Sequence, residues 1–75
     1  MSDVNTDAVA WLERFAATVG VPAPSVAEID TLLSLAGTAA HASHRQAAPV
    51  ACWLAARAGL TPAAALAVAR SLDPG

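Results

Sequence analysis

Ala48-Pro49-Val50-Ala51-Cys52-Trp53-Leu54-Ala55-Ala56-Arg57-Ala58-Gly59-Leu60-Thr61-Pro62 holds a helix start, a helix, a helix stop and a second start within one short stretch. Proline fits the first turn of a helix, where its missing N–H costs nothing, and discourages helical geometry in the residue before it. Gly59 can take the left-handed conformation that closes a helix, Thr61 can cap the next one, and Pro62 suits its first position. The stretch therefore predicts one helix over about 48–58 and another over about 62–72. The second should turn Ala65, Leu66, Ala69 and Leu72 inward and leave Asp73-Pro74-Gly75 as a frayed end.

Working towards the N-terminus, the break at Arg45-Gln46-Ala47-Ala48-Pro49 follows a helix predicted over about 26–44. Its start is written in Ser25-Val26-Ala27-Glu28, a capping box in which each side chain satisfies the other residue's backbone N–H. Ile29, Leu32, Leu33, Ala36, Ala39, Ala40 and Ser43 form its apolar and small-residue stripe. Before it, Asn5 or Thr6 can cap a first helix over about 6–19, with Asp7 favourable in its first turn. Gly20 ends that helix, and Pro22 and Pro24 prevent its continuation. Ala8, Trp11, Leu12, Phe15, Ala16 and Val19 share one of its faces, so Trp11 and Phe15 are expected in the core. No segment alternates with period two for long enough to argue a strand. The expected fold is all-α, a compact bundle of four short helices in one domain over 1–75.

Composition limits how well such a bundle can close. The chain has 75 residues, 56% hydrophobic and 13% charged, and alanine supplies 21 of the hydrophobic ones. That is too apolar for disorder and too short for two cores, yet poor in large side chains. Four Arg, no Lys and six carboxylates give a net charge of −2, without the basic field that nucleic acid or anionic lipid requires. No uncharged run approaches the roughly 18 residues of a membrane span. The start, Met1-Ser2-Asp3-Val4-Asn5-Thr6-Asp7, is acidic where a secretory leader would be positive and then apolar. A lone Cys52 forms no internal disulfide and suits a reducing compartment. These features lead us to expect a cytoplasmic protein that binds neither nucleic acid nor membrane.

The third helix departs from the others because Val50, Ala51, Cys52, Trp53, Leu54, Ala55 and Ala56 put apolar atoms all around it, with Arg57 its one charge. A helix apolar on every side is normally enclosed by protein, and three short alanine-rich helices can hardly enclose it. Two readings are open. Trp53 fills the core with Arg57 lying over its ring or reaching water, or the uncovered side docks on another protein. In the second reading Trp53 is the anchor, Val50 and Leu54 pack around it, and Arg57, with Arg45, forms a polar rim.

Chemistry-bearing residues are sparse. His41, His44 and Cys52 are the only good soft or imidazole ligands, but no CxxC or HExxH spacing accompanies them, and Cys52 would have to reach across from its own helix. His41 and Arg45, with Arg57 nearby, could hold a phosphate or carboxylate, although Pro49 removes a donor and no glycine-rich cradle exists. Cys52 lies among alanines with no base beside it, and Glu28 and Asp30 are accounted for at a helix start. No enzyme and no cofactor is expected. The competing class is a small-molecule, phosphate or metal binder centred on His41, His44 and Arg45.

The order of a Trp in the first helix, Leu32-Leu33-Ser34-Leu35-Ala36, Ala40-His41, Arg45 and Ala47-Ala48-Pro49-Val50 resembles an actinobacterial family of small helical domains of unknown function. Its members stand alone or are fused to a molybdenum cofactor guanylyltransferase, the enzyme that attaches GMP to molybdopterin. The resemblance covers roughly Val9 to Leu72. The sequence departs from the family pattern at Gln46, where a proline commonly follows the arginine, and at Trp53, where another bulky apolar residue is frequent. The resemblance implies involvement in molybdenum cofactor maturation; taken with the apolar third helix and the sparse chemistry, the expectation is a non-enzymatic accessory module whose protein partner is either such a nucleotidyltransferase or a second copy. The resemblance transfers no catalytic residue.

Overall fold

The computed structural model describes residues 4–73. Four α-helices follow one another: α1 (Thr6–Val19), α2 (Val26–Ala42), α3 (Ala47–Arg57) and α4 (Pro62–Leu72). The fold is all-α, with no strand among the described residues. Pro74 and Gly75, the expected frayed end, lie outside those residues, as do Met1, Ser2 and Asp3 of the acidic start. No described helix is long and apolar enough to cross a membrane.

Local chemistry sets the helix ends. The Asn5 side chain accepts from the N–H groups of Asp7 (2.8 Å) and Ala8 (3.2 Å) at the start of α1. At its other end Gly20 adopts φ 81°, and the Val21 N–H donates back to the Ala16 carbonyl at 3.0 Å, the paired closure that a left-handed residue permits. The capping box forms in full: Glu28 N–H donates to Ser25 Oγ (3.0 Å) and Ser25 N–H donates to Glu28 Oε1 (2.8 Å). Gly59 at φ 75° closes α3, and Thr61 Oγ1 accepts from the Ala64 N–H at 3.2 Å ahead of Pro62.

The α2–α3 connection differs from expectation by two residues on one side and one on the other. α2 ends at Ala42 rather than near His44, and α3 begins at Ala47. Tight turns intervene, with Ala47 N–H donating to His44 O (2.8 Å) and Ala48 N–H to Arg45 O (3.2 Å). Gln46 N–H is taken by the His44 ring at Nδ1, 3.3 Å away, so the imidazole satisfies a backbone donor that a continuing helix would have used. Pro49 becomes the third residue of α3, still within the turn whose N–H groups have no helical acceptor.

The chain forms two units, Met1–Asp30 and Thr31–Gly75. In the first, Ala16 and Ile29 are buried, while Val9 and Leu12 are half-buried. Trp11 and Phe15, expected in the core, are instead 53% and 52% exposed, stacked on each other with centroids 5.2 Å apart and planes 14° from parallel. At 100° per residue the protected arc of α1 centres near Ala16, and the aromatics fall to one side of it. Each ring shields one face of the other, which lowers the cost of leaving them outside.

In the second unit Leu35 is 2% and Ala65 3% exposed. Leu35 was absent from the expected stripe, whereas Leu33, included in it, is exposed. Leu32, Leu33 and Leu35 spread over about 160° of the helix. Among alanines, only the neighbouring helices can decide which of them points inward. Leu72 was likewise expected inside and lies on the surface, because it occupies the last turn of α4.

Candidate functional site

The arrangement of α3 is inverted by size. Ala47, Ala48, Ala51, Cys52 and Ala55 are half-buried, whereas Val50, Trp53, Leu54 and Arg57 are all exposed. Trp53 keeps 59% of its surface open to solvent, more than a tryptophan filling a core would. The four large residues fall within an arc of about 100°, in the order Trp53, Arg57, Val50, Leu54. Small residues facing inward allow close helix approach, and one contact reports it. The Cys52 thiol is 4.0 Å from the carbonyl oxygen of Leu32, a main-chain atom of α2.

Arg57 sits over Trp53 with its guanidinium carbon 5.0 Å from the ring centroid. This is the contact expected for a cation one turn after an aromatic residue, but it forms on an exposed ring. The pair keeps a charge at the middle of an otherwise apolar face.

Beside that face lies an apolar cleft of about 310 Å³ within the second unit. Leu35 and Ala65 form part of its lining, with Leu54, Leu60, Val68 and Leu72 among its other residues. Leu54 belongs to both the cleft and the outer face of α3. The sequence reading did not single out Leu60 or Val68. The signal for Val68 was present in Ala65, Val68, Ala69 and Leu72, four apolar positions at helical spacing whose two alanines leave room between the larger pair; Leu60, in the turn before α4, carried none.

The polar residues do not assemble. His41, His44 and Arg45 are exposed, and none of them lines the cleft. His44 spends Nδ1 on the Gln46 N–H. Cys52 is level with Leu32, about 14 Å along the α2 axis from His41 at 1.5 Å per residue. Among the described residues no group of three or more His, Cys, Asp or Glu side chains is placed to hold a metal ion. Partial burial pushes the Cys52 thiol above its ordinary pKa, because desolvation disfavours the thiolate, and a protonated thiol is a poor nucleophile or ligand.

A family model matches residues 3–73, nearly the full chain. The chain belongs to the family described as Domain of unknown function (DUF6457). No curated protein and no solved structure matches it. In this DUF6457 domain the residues that stand out are apolar and on the surface: Val50, Trp53 and Leu54 around Arg57, and the cleft adjoining them.

Proposed function

We propose that this domain is a non-enzymatic accessory module that docks through the outer face of α3 on a protein of molybdenum cofactor maturation, the nucleotidyltransferase that attaches GMP to molybdopterin. One observation carries the docking part. On α3 five small residues, Ala47, Ala48, Ala51, Cys52 and Ala55, are half-buried, and Val50, Trp53, Leu54 and Arg57 face solvent. Contiguous exposed apolar surface centred on a tryptophan and an arginine has the composition of an interface anchor. The identity of the partner is supported by the resemblance carried by Leu32 to Val50, since fused domains commonly act together.

The polar groups support the absence of catalysis in the proposal. Acid–base or nucleophilic work needs two or three groups within hydrogen-bonding reach, and the exposed His41, His44 and Arg45 share no cavity with Cys52. The deciding measurement is calorimetric titration of the purified domain with the molybdenum cofactor guanylyltransferase of the same genome. Binding lost on replacing Trp53→Ala is the expected result; heat indistinguishable from dilution at micromolar concentrations overturns the assignment.

A further inference from the structure

Arg57 is the one charge on the outer face of α3, and its position decides what can cover that face. On the helix arc it falls between Trp53 and Val50, with Leu54 beyond. All four residues are exposed, so a surface that covers the tryptophan and the valine covers the guanidinium between them. The Trp53 ring lies 5.0 Å from the guanidinium carbon, a contact that attracts the charge but offers no oxygen acceptor to its five N–H donors. Its own stretch of chain offers no carboxylate either, because there is no Asp or Glu from Thr31 to Leu72. Residues 31–75 carry three arginines against Asp73 alone, a net +2.

A guanidinium stripped of water without a counter-charge is among the costliest groups to bury. We infer that the surface taken by the α3 face is an apolar patch with a carboxylate set opposite Arg57, and that this charge rejects the same face of a second copy. A twofold pairing of α3 against α3 brings the same four residues from both copies. Two Arg57 side chains then share one desolvated patch to which neither face contributes a carboxylate, a like-charge contact that disfavours the pair. A foreign carboxylate reverses the balance. It accepts two parallel N–H bonds from the guanidinium, while Trp53, Val50 and Leu54 pack around the pair and exclude water. The inference rests on the docking reading above and states the chemistry that the enzyme's surface must present.

Calorimetric titration of the molybdenum cofactor guanylyltransferase of the same genome with four single variants tests it. R57Q should lose about thirtyfold in affinity, and R57E more than R57Q. R57K should fall between R57Q and the unaltered domain, because lysine keeps the charge without the planar fork. R70E makes the same charge change on an exposed residue of α4, outside the α3 face, and should bind within about twofold of the unaltered domain. Far-ultraviolet circular dichroism should be unchanged in all four, since each replaces an exposed side chain. Replacing the enzyme's surface carboxylates by arginine, one at a time, should find one change that weakens the unaltered domain and restores binding of R57E. In sedimentation equilibrium the unaltered domain should show no association that Trp53→Ala abolishes.

Equal affinities for R57E and the unaltered domain overturn the inference while the docking reading stands. So does a loss for R70E as large as that for R57E, which makes the effect one of overall charge, or a carboxylate scan that restores nothing. A dimer of the domain that Trp53→Ala dissociates also overturns it, because a second copy then covers the face. An enzyme that binds no unaltered domain refutes the proposed function itself, and with it the carboxylate assigned to that partner.

Discussion

Replacing Trp53 by alanine separates the two roles a tryptophan can play, and the structure sets the size of each effect. Trp53 is 59% exposed, so of roughly 250 Å² in a tryptophan side chain about 150 Å² remains to be covered by a partner. At about 25 cal/mol per Å², and allowing for the β-carbon that alanine retains, that area corresponds to about 3 kcal/mol of binding, more than a hundredfold in affinity. The portion already covered, roughly 100 Å², corresponds to about 2 kcal/mol of folding stability as an upper estimate. Isothermal titration against the guanylyltransferase measures the first quantity, and urea denaturation followed by circular dichroism measures the second. Affinity should therefore fall further than stability. The reasoning fails if Trp53→Ala costs the 3–5 kcal/mol typical of emptying a core site while affinity for the enzyme is unchanged, for then the ring belongs to the interior.

The other expectations are smaller and concern the frame that holds this face. Ser25→Ala removes the acceptor for the Glu28 N–H and should cost about 1 kcal/mol, read as a fall in melting temperature of about 4–8 °C for a domain this small. Gly37→Ala should do the opposite: Gly37 lies inside α2 with nothing within 4 Å of an added methyl, so helix propensity alone should raise stability by roughly 0.5–1 kcal/mol in thermal melts. Gly59→Ala meets equally open space but must hold φ 75°, and should lose about 1 kcal/mol or more by the same measure. Because burial raises the Cys52 pKa, the thiol of the folded protein should react with a disulfide reagent more slowly than the same thiol in urea at pH 8. The sign for stability follows: the unfolded thiol ionises first, so urea resistance should be constant below the ordinary thiol pKa and decline as pH rises past it. Equal reaction rates in the folded and unfolded protein would contradict that placement.

Helix number and most helix ends were legible in the sequence because each rests on chemistry within about four residues; the α2–α3 connection, where the His44 ring takes the Gln46 N–H, was placed one to two residues off. Asn5, Ser25 with Glu28, Gly20, Gly59, Thr61 and Pro62 act as their side chains or missing side chains require. Facing was much less legible. In α1 the residues from Ala8 to Val19 offered a stripe wider than the buried strip, and Ala16 rather than Trp11 or Phe15 lies inside. In α2 three leucines point in three directions, and Leu35 became the buried one. Where half the apolar residues are alanine, a helix can rotate with little change in the area it hides, so periodicity alone does not fix the rotation. On α3 the bulky positions Val50, Trp53, Leu54 and Arg57 could be picked out at helical spacing, but the sequence left open whether Trp53 lies inside or outside, and it lies outside. The cleft was not legible, since its residues come from α2, α3, α4 and the turn at Leu60.

The inverted size order of α3 has an evolutionary consequence. Since alanines and one cysteine occupy the sheltered side, the bulky positions of that helix are free to change identity with little harm to foldability. A scaffold built in this way can be retuned for a new associate by substituting a handful of outward residues, without first acquiring compensating changes in its interior.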